Sequence, residues 1–470
     1  MQPDPGLFDG RIDADSYAAR ARQIVGSLSD PEQFYPSEST DVSSWIQEWD
    51  FRKAKIDVYT HQIHRYPAMF IPQLIRKILL AYSQVGDTVV DIFNGSGTTT
   101  VECLLTDRNG IGIEINPLAV MISRVKTTLV DPQLLIAGFE RIVSLYGDSD
   151  FEYHLVDFPN IDKWFVPSSI RWLSKLLAAI EDQDNPTVSE AFKVAFSDII
   201  RYVSVVRHNG FKLHADPKKK SKEWTNIDIL DRFSESVATL IRALTDLWNK
   251  GISTESKILA QDSTTKIREL AEVADLVLTS PPYGDSHTTV AYGQFSRLSA
   301  QWLGLIGTTE RGGIRNVDSE LLGGVYKGID IEDPILGRSI TLNTSIMGLL
   351  HATAELPSDE KKKARNRIRE VIAFYRDLEE TIGNGSYYLK PNKSFVLVTG
   401  SRVVRGIKLN TDLIIAELGE HHGLLLDGIL YRKSIPNKRM PSKVSPTNVS
   451  GETAPTMTKE SIIILRKAKL

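Results

Sequence analysis

The chain has 470 residues, 41% hydrophobic and 24% charged, with 56 Lys/Arg against 59 Asp/Glu for a formal charge of −3. At roughly 100–200 residues per domain, this length fits one elaborated catalytic domain or two or three domains, and no apolar run nears the ~18 residues of a membrane helix. No basic stretch followed by an apolar core opens the chain, and the single cysteine, Cys103, excludes a disulfide framework and a Cys-rich zinc module, so a soluble protein of a reducing compartment, the cytoplasm, is expected.

Residues 1–50 hold ten Asp/Glu against Arg11, Arg20 and Arg22, so this segment contributes −7 and leaves +4 for the rest. Its Asp, Ser, Pro and Gly content predicts an arm lying on the body. The remaining positive charge is clustered at Lys218–Lys222, at Lys361–Arg369 and at Arg432–Lys443, which together make a phosphate-attracting surface if they converge. Val89-Val90-Asp91-Ile92-Phe93 is a short apolar run ending in Asn94-Gly95-Ser96-Gly97, followed by a helical stretch through Leu105. A second run, Gly110 to Ile115, leads into Asn116-Pro117. Strand, tight turn, helix, strand is the opening of a doubly wound α/β sheet.

Five more strand-like runs follow, at Lys257–Ala260, Asp275–Leu278, Ser394–Thr399, Leu424–Tyr431 and Ser461–Leu465, and predict a seven-stranded Rossmann-like sheet. Two intervals break the alternation. Residues 131–255 carry helical stripes such as Phe233-Val237-Leu240-Leu244-Leu247 around the basic turn Asp216-Pro217-Lys218, and residues 301–365 are rich in Gly and Asp with little periodicity. The expected division is an arm at 1–50, a core from 51–130, 256–300 and 366–470, a helical insertion at 131–255 and an irregular one at 301–365. Either insertion could be a recognition element or a lid.

Gly95 and Gly97 lie just past a strand end, where missing side chains let the backbone approach a ligand, and Thr98 opens the next helix. Thr100 stands where the third Gly of a dinucleotide fingerprint would fall, and no Lys follows the turn to hold phosphates as in a P-loop. An adenosine-bearing cofactor without a pyrophosphate remains, and S-adenosylmethionine fits. Glu114, at the end of the second strand beside Ile115 and Asn116, can accept hydrogen bonds from both ribose hydroxyls, and Asp262-Ser263 after the third strand could receive an adenine amino group.

Ser280-Pro281-Pro282-Tyr283 follows the run Asp275–Leu278, at the carboxyl end of a strand where doubly wound folds place their chemistry. Two prolines fix the backbone and remove two N–H donors, leaving acceptors: the Ser280 hydroxyl and nearby carbonyls. Acceptors for both protons of an exocyclic amine favour a pyramidal nitrogen whose lone pair can meet a sulfonium methyl, and Tyr283 offers a ring on which an extruded base can stack.

Asp91-Ile92-Phe93-Asn94-Gly95-Ser96-Gly97-Thr98 together with Ser280-Pro281-Pro282-Tyr283 resembles the DNA amino-methyltransferases, which methylate cytosine N4 or adenine N6. Ser at the head of the tetrapeptide is similar to the cytosine-N4 branch, where adenine enzymes more often carry Asp or Asn. Tyr66-Pro67-Ala68-Met69-Phe70 resembles the family's remaining cofactor segment, with Tyr66 where His is commoner, and Arg432–Pro441 with Thr456–Glu460 resembles the end of some such enzymes. These matches cover about half the chain. The resemblance implies a site-specific enzyme acting on double-stranded DNA by base flipping, with a cognate restriction endonuclease as a possible partner. Its cofactor residues would be Pro67, Ala68, Asp91, Phe93, Asn94, Gly95, Ser96, Gly97, Thr98, Glu114, Ile115, Asn116, Asp262 and Ser263, and its catalytic residues Ser280, Pro281, Pro282 and Tyr283.

Adenine N6 in DNA and an RNA amine remain as alternative targets, since the acceptor chemistry is the same. Either insertion could read the nucleic acid, with residues 131–255 favoured for their size and for Arg207, Lys212 and Lys218–Lys222. Methylation at a cytosine ring carbon needs an attacking thiolate, and Cys103 sits among Val101, Leu104 and Leu105 as a small buried hydrophobe would. His61 and His64 lack partners for a metal set. Tyr387 and Tyr388 read as core. A nucleic-acid-binding module without activity would be expected to have lost the glycine turn or the tetrapeptide, and a dehydrogenase would need the third Gly.

Overall fold

The computed structural model describes residues 12–25, 31–34, 49, 51, 54–207, 210–284, 290–307, 316–433, 443–444, 454–455 and 459–469. Seven strands form the central sheet: β1 (Thr88–Asp91), β2 (Asn109–Glu114), β3 (Ser256–Ala260), β4 (Ala274–Thr279), β5 (Leu389–Gly400), β6 (Leu424–Lys433) and β7 (Lys459–Lys467). Their order is β3-β2-β1-β4-β5-β7-β6. Neighbours from β3 to β5 run parallel, and β7 is antiparallel to both β5 and β6. This is a doubly wound Rossmann-like sheet, with all seven strands at the predicted places.

Adjacent residues on a strand point to opposite faces, and the core divides accordingly. Val90, Val277, Phe395, Leu397 and Ile463 join one cluster, under the helices Ser358–Tyr388 and Thr411–Glu420. Val89, Leu276, Leu278, Val396 and Ile462 join the other, under the helix Pro72–Tyr82 and beside Cys103. Strand β4 is buried at every position. Order reverses between β1 and β4, which pair through Val89–Leu276 and Val90–Val277, so a crevice opens at their carboxyl ends.

Residues 131–255 build four long helices, Pro132–Gly147, Pro167–Glu181, Pro186–Val203 and Asn226–Asn249. Three open with Pro in the first turn, where a missing N–H costs nothing, and the fourth with a Thr225/Asp228 capping box. Their common core also takes Leu118 and Ile122 from the helix Pro117–Thr127 and Leu298 and Trp302 from the helix Tyr292–Trp302. The insertion is therefore packed onto two helices that flank the crevice.

The stretch expected to be irregular contains the helix Ile340–Ala352 and the start of Ser358–Tyr388, which runs on past residue 366. Leu342, Ile346 and Leu349 are buried on a helical stripe, but Ile340 and Met347 are exposed on the other side and blur the period. Most of the arm and most of the tail at 432–460, with its basic cluster, lie outside the described residues. Among the described residues no helix is long and apolar enough to cross a membrane.

Candidate active site

Strand β1 ends on Asp91, buried to 1% exposure, whose Oδ1 accepts from the Phe93 backbone N–H at 2.9 Å and from the Thr279 hydroxyl at 2.6 Å. Burial pushes its carboxyl up to about 6, against the hydrogen bond from Thr279. Thr279 Oγ1 also accepts from Phe93 N at 3.1 Å. One buried hydroxyl at the tip of β4 thus ties the glycine turn to the residue immediately before Ser280.

The turn is held from beneath. Asn94 Nδ2 donates to Ser123 Oγ at 2.7 Å, and Thr100 Oγ1 donates to Asn94 Oδ1 at 3.2 Å. Gly97 has φ +86°, and a Cβ there would stand 2.4 Å from Ser123 Oγ, so only glycine fits. Glu114, at the end of β2, receives Gly95 N–H on Oε2 at 2.8 Å and Asn116 N–H on Oε1 at 2.7 Å. Each oxygen keeps a lone pair for a further donor. Burial pushes this carboxyl up to about 7, against backbone N–H groups of which Asn116 and Gly95 count most. Asn116 Nδ2 reaches Tyr66 Oη at 3.0 Å and Ser296 Oγ at 2.9 Å, and the Tyr66 ring stacks on Tyr292 at 6.1 Å.

A single cleft brings these parts together. Its lining includes Pro67, Ala68, Phe93, Asn94, Gly95, Ser96, Thr98, Glu114, Ile115, Asn116, Asp262 and Ser263 from the predicted cofactor set, and Ser280 and Pro282 from the tetrapeptide. Asp91, Gly97, Pro281 and Tyr283 do not line it. The first two stand behind it, Asp91 bonded to Phe93 and Thr279 and Gly97 packed against Ser123. Tyr283 Oη donates to Glu460 Oε1 at 2.9 Å, and Arg432 Nε lies 3.2 Å from the other oxygen of Glu460. Burial and the adjacent Glu460 charge raise the Tyr283 hydroxyl well above its ordinary range, so it stays a donor. Asp262 turns Oδ1 back to Thr264 N–H at 2.9 Å, and Ser263 Oγ donates to the Ile92 carbonyl.

Sequence reasoning missed Tyr292 and Glu320–Leu322, which complete the lining. Tyr292 lies between the tetrapeptide and the irregular stretch, where the sequence predicts no element, and Glu320–Leu322 lie in the stretch without periodicity. Of the residues set aside, Cys103 and Tyr388 are core as expected, while Tyr387 is only partly buried. Cys103 is fully buried and its thiol is raised by that burial. His61 pairs with Glu102 at 2.7 Å, His64 packs edge-on against Phe295, and Tyr388 is core. Among the described residues no three His, Cys, Asp or Glu side chains converge as metal ligands would.

The family model for N6/N4 DNA methylases matches residues 21–124. The type II methyltransferase M.MvaI of Kocuria varians is 37% identical over 425 residues, which span 87% of this chain and 91% of that protein. The type II methyltransferase M.MjaII of Methanocaldococcus jannaschii is 44% identical over 77 residues, 16% of this chain and 14% of that one. The DNA adenine methyltransferase YhdJ of Escherichia coli is 38% identical over 95 residues, 20% of this chain and 30% of that one. With an alignment that spans nearly the whole of both proteins, and with the glycine turn and tetrapeptide at the tips of neighbouring strands, the chain belongs to the type II DNA methyltransferases of the N4/N6 class, which use S-adenosylmethionine.

Proposed function

We propose that this enzyme methylates the N4 amine of cytosine in double-stranded DNA, on a base flipped into the cleft. The observation that carries the reading is that Ser280 and Pro282 share one cleft with Asn94–Ser96 and Glu114. The donor set suits the cofactor: the two Glu114 oxygens, each already oriented by a backbone N–H, would hold the ribose hydroxyls, with Phe93 and Ile113 as apolar walls. When bound, S-adenosylmethionine supplies an electrophilic methyl group on sulfonium.

The chain's own residues do the rest. Ser280 Oγ and the proline-fixed carbonyls accept the amine protons, which concentrates the nitrogen lone pair toward the methyl donor. Tyr283, next to the cleft-lining Pro282 and with its hydroxyl fixed by Glu460, is not on the cleft lining itself and would stack on a base only at the cleft's edge, a contact worth about 1–3 kcal/mol per base. Serine at the head of the tetrapeptide, rather than a carboxylate or amide, favours cytosine. The likeness to an adenine enzyme over 95 residues keeps adenine N6 as the second reading. The helical insertion 131–255 is proposed as the DNA-reading region.

Labelled-methyl transfer to duplex DNA followed by nucleoside analysis separates the two, with N4-methylcytosine expected and N6-methyladenine overturning the assignment. Ser280→Ala should lower kcat by about 10²-fold or more, as loss of one preorganised hydrogen-bonding group does, while cofactor affinity changes little. An unchanged kcat would remove Ser280 from the chemistry.

A further inference from the structure

The helix Pro117–Thr127 passes beneath the glycine turn, with Ser123 against Asn94 and Gly97 and, one turn on, Lys126. Lys126 is 0% exposed. Among the described residues its Nζ has two polar neighbours, Ser96 Oγ at 3.4 Å and the Met69 thioether Sδ at 3.9 Å, and no carboxylate pairs with it. Burial alone lowers its ammonium to about 7. The charged groups packed nearest, His61 and His64, are themselves pushed toward the neutral form by burial and by Lys126, and Glu102 is engaged by His61 and Arg76. A buried ammonium without an anion is costly, so its place calls for an anionic partner that arrives with a ligand.

Both contacts of Lys126 line the cleft, one from each cofactor segment: Ser96 from the glycine turn and Met69 from Tyr66–Phe70. A hydroxyl that accepts from an ammonium keeps its own proton to donate, and that donor is strengthened by the charge behind it. The one anionic group on the cofactor is the carboxylate of its methionine arm. We propose that Lys126 is a positioning residue whose charge, relayed through the Ser96 hydroxyl, binds that carboxylate where Ser96 and Met69 meet. The proposal rests on the cleft being the cofactor site.

The test compares two ligands on the purified full chain by calorimetry. S-adenosylhomocysteine carries the carboxylate, and 5′-methylthioadenosine keeps the adenosine and sulfur without it. Lys126→Met should weaken S-adenosylhomocysteine at least about tenfold and methylthioadenosine less than about twofold, because only the first ligand loses an ionic partner. Ser96→Ala should show the same selectivity with a smaller loss. Equal losses for both ligands, or none for either, would overturn the proposal by giving Lys126 a merely structural role or no role. If Lys126→Met does not fold, the wild-type protein answers with S-adenosylhomocysteine against its carboxyl amide, where a tenfold loss is expected and equal binding overturns. A wild-type protein that binds neither adenosine ligand would instead sink the cleft assignment, and the proposal with it.

Discussion

In the proposed cofactor site, Glu114 is the residue whose charge would matter most directly. Its ionised form accepts two further hydrogen bonds, whereas protonation converts one oxygen into a donor. Because burial raises its carboxyl to about 7, adenosine binding should weaken as pH falls from 8 to 6, by up to about tenfold per unit below that value. Methylthioadenosine is the ligand to use, since it lacks the carboxylate that would bring in Lys126. Glu114→Gln should bind more weakly and flatten the profile; a slope unchanged in this variant would locate the titration elsewhere, with Asp91 the next candidate. The sign for stability is opposite. A carboxyl raised in the folded state takes up its proton more readily there than when unfolded, so this group's contribution is lost as pH climbs from the ordinary carboxylate range toward 7. Gly112 is the second sensitive position. A Cβ there would come within 2.4 Å of the Asn94 amide carbon, so Gly112→Ala should expel Asn94 from beneath the turn. We expect at least tenfold weaker cofactor binding and about 1–3 kcal/mol of lost stability, as overpacking gives, both read from calorimetry and urea unfolding.

At the scale of elements, the strands were legible because each carries an apolar run bounded by turn residues, and those runs are buried against helices on both faces of the sheet. The glycine turn and Glu114 were legible for a related reason: at a strand tip, spacing along the chain is spacing in the site. Gly112 and Lys126 were not, because one reads as a strand glycine and the other as the basic end of a helix, and their roles depend on what packs across from them. Tyr292 escaped for the same reason, since a helix start says nothing about which strand tip it will meet. That helix, Tyr292–Trp302, joins cleft to insertion. Trp302 packs edge-on against Phe158, Phe165 and Phe196 at 5.4–6.0 Å. Trp302→Ala should therefore cost about 3–5 kcal/mol, measured by denaturant unfolding, as deletion of a buried aromatic does. A loss under about 1 kcal/mol would mean that the aromatic cluster can close around the gap.

For the molecule as a whole, a net charge of −3 gives no hint of a polyanionic substrate, and the distribution carries the argument. The cluster at Lys361–Arg369 is partly spent within its own surroundings: Arg367 pairs with Glu370 at 2.5 Å, and Arg369 donates to the Ile329 carbonyl. In the helical insertion, Lys219 is likewise tied down, on the carbonyls of Ser204 and Val206, but Lys218, Lys220 and Lys222 are exposed around it. This basic turn is linked to the cleft through Leu213 N–H on Gln294 and Arg201 over the Phe295 ring, both on the helix that begins with Tyr292. If the helical insertion reads DNA, as proposed, these exposed lysines are the ones to meet its phosphates. Each phosphate contact contributes about 0.9 to the slope of log affinity against log salt, so Lys218→Ala/Lys220→Ala should reduce that slope by nearly 2. The measurement is fluorescence anisotropy with duplex DNA across roughly 50–200 mM salt, the range over which such contacts are lost. At saturating DNA, kcat should stay near wild type, because neither lysine lines the cleft. Lys362→Ala/Lys363→Ala is the control, expected to leave the slope unchanged. If the control pair reduces the slope and the Lys218/Lys220 pair does not, the DNA lies on the other insertion.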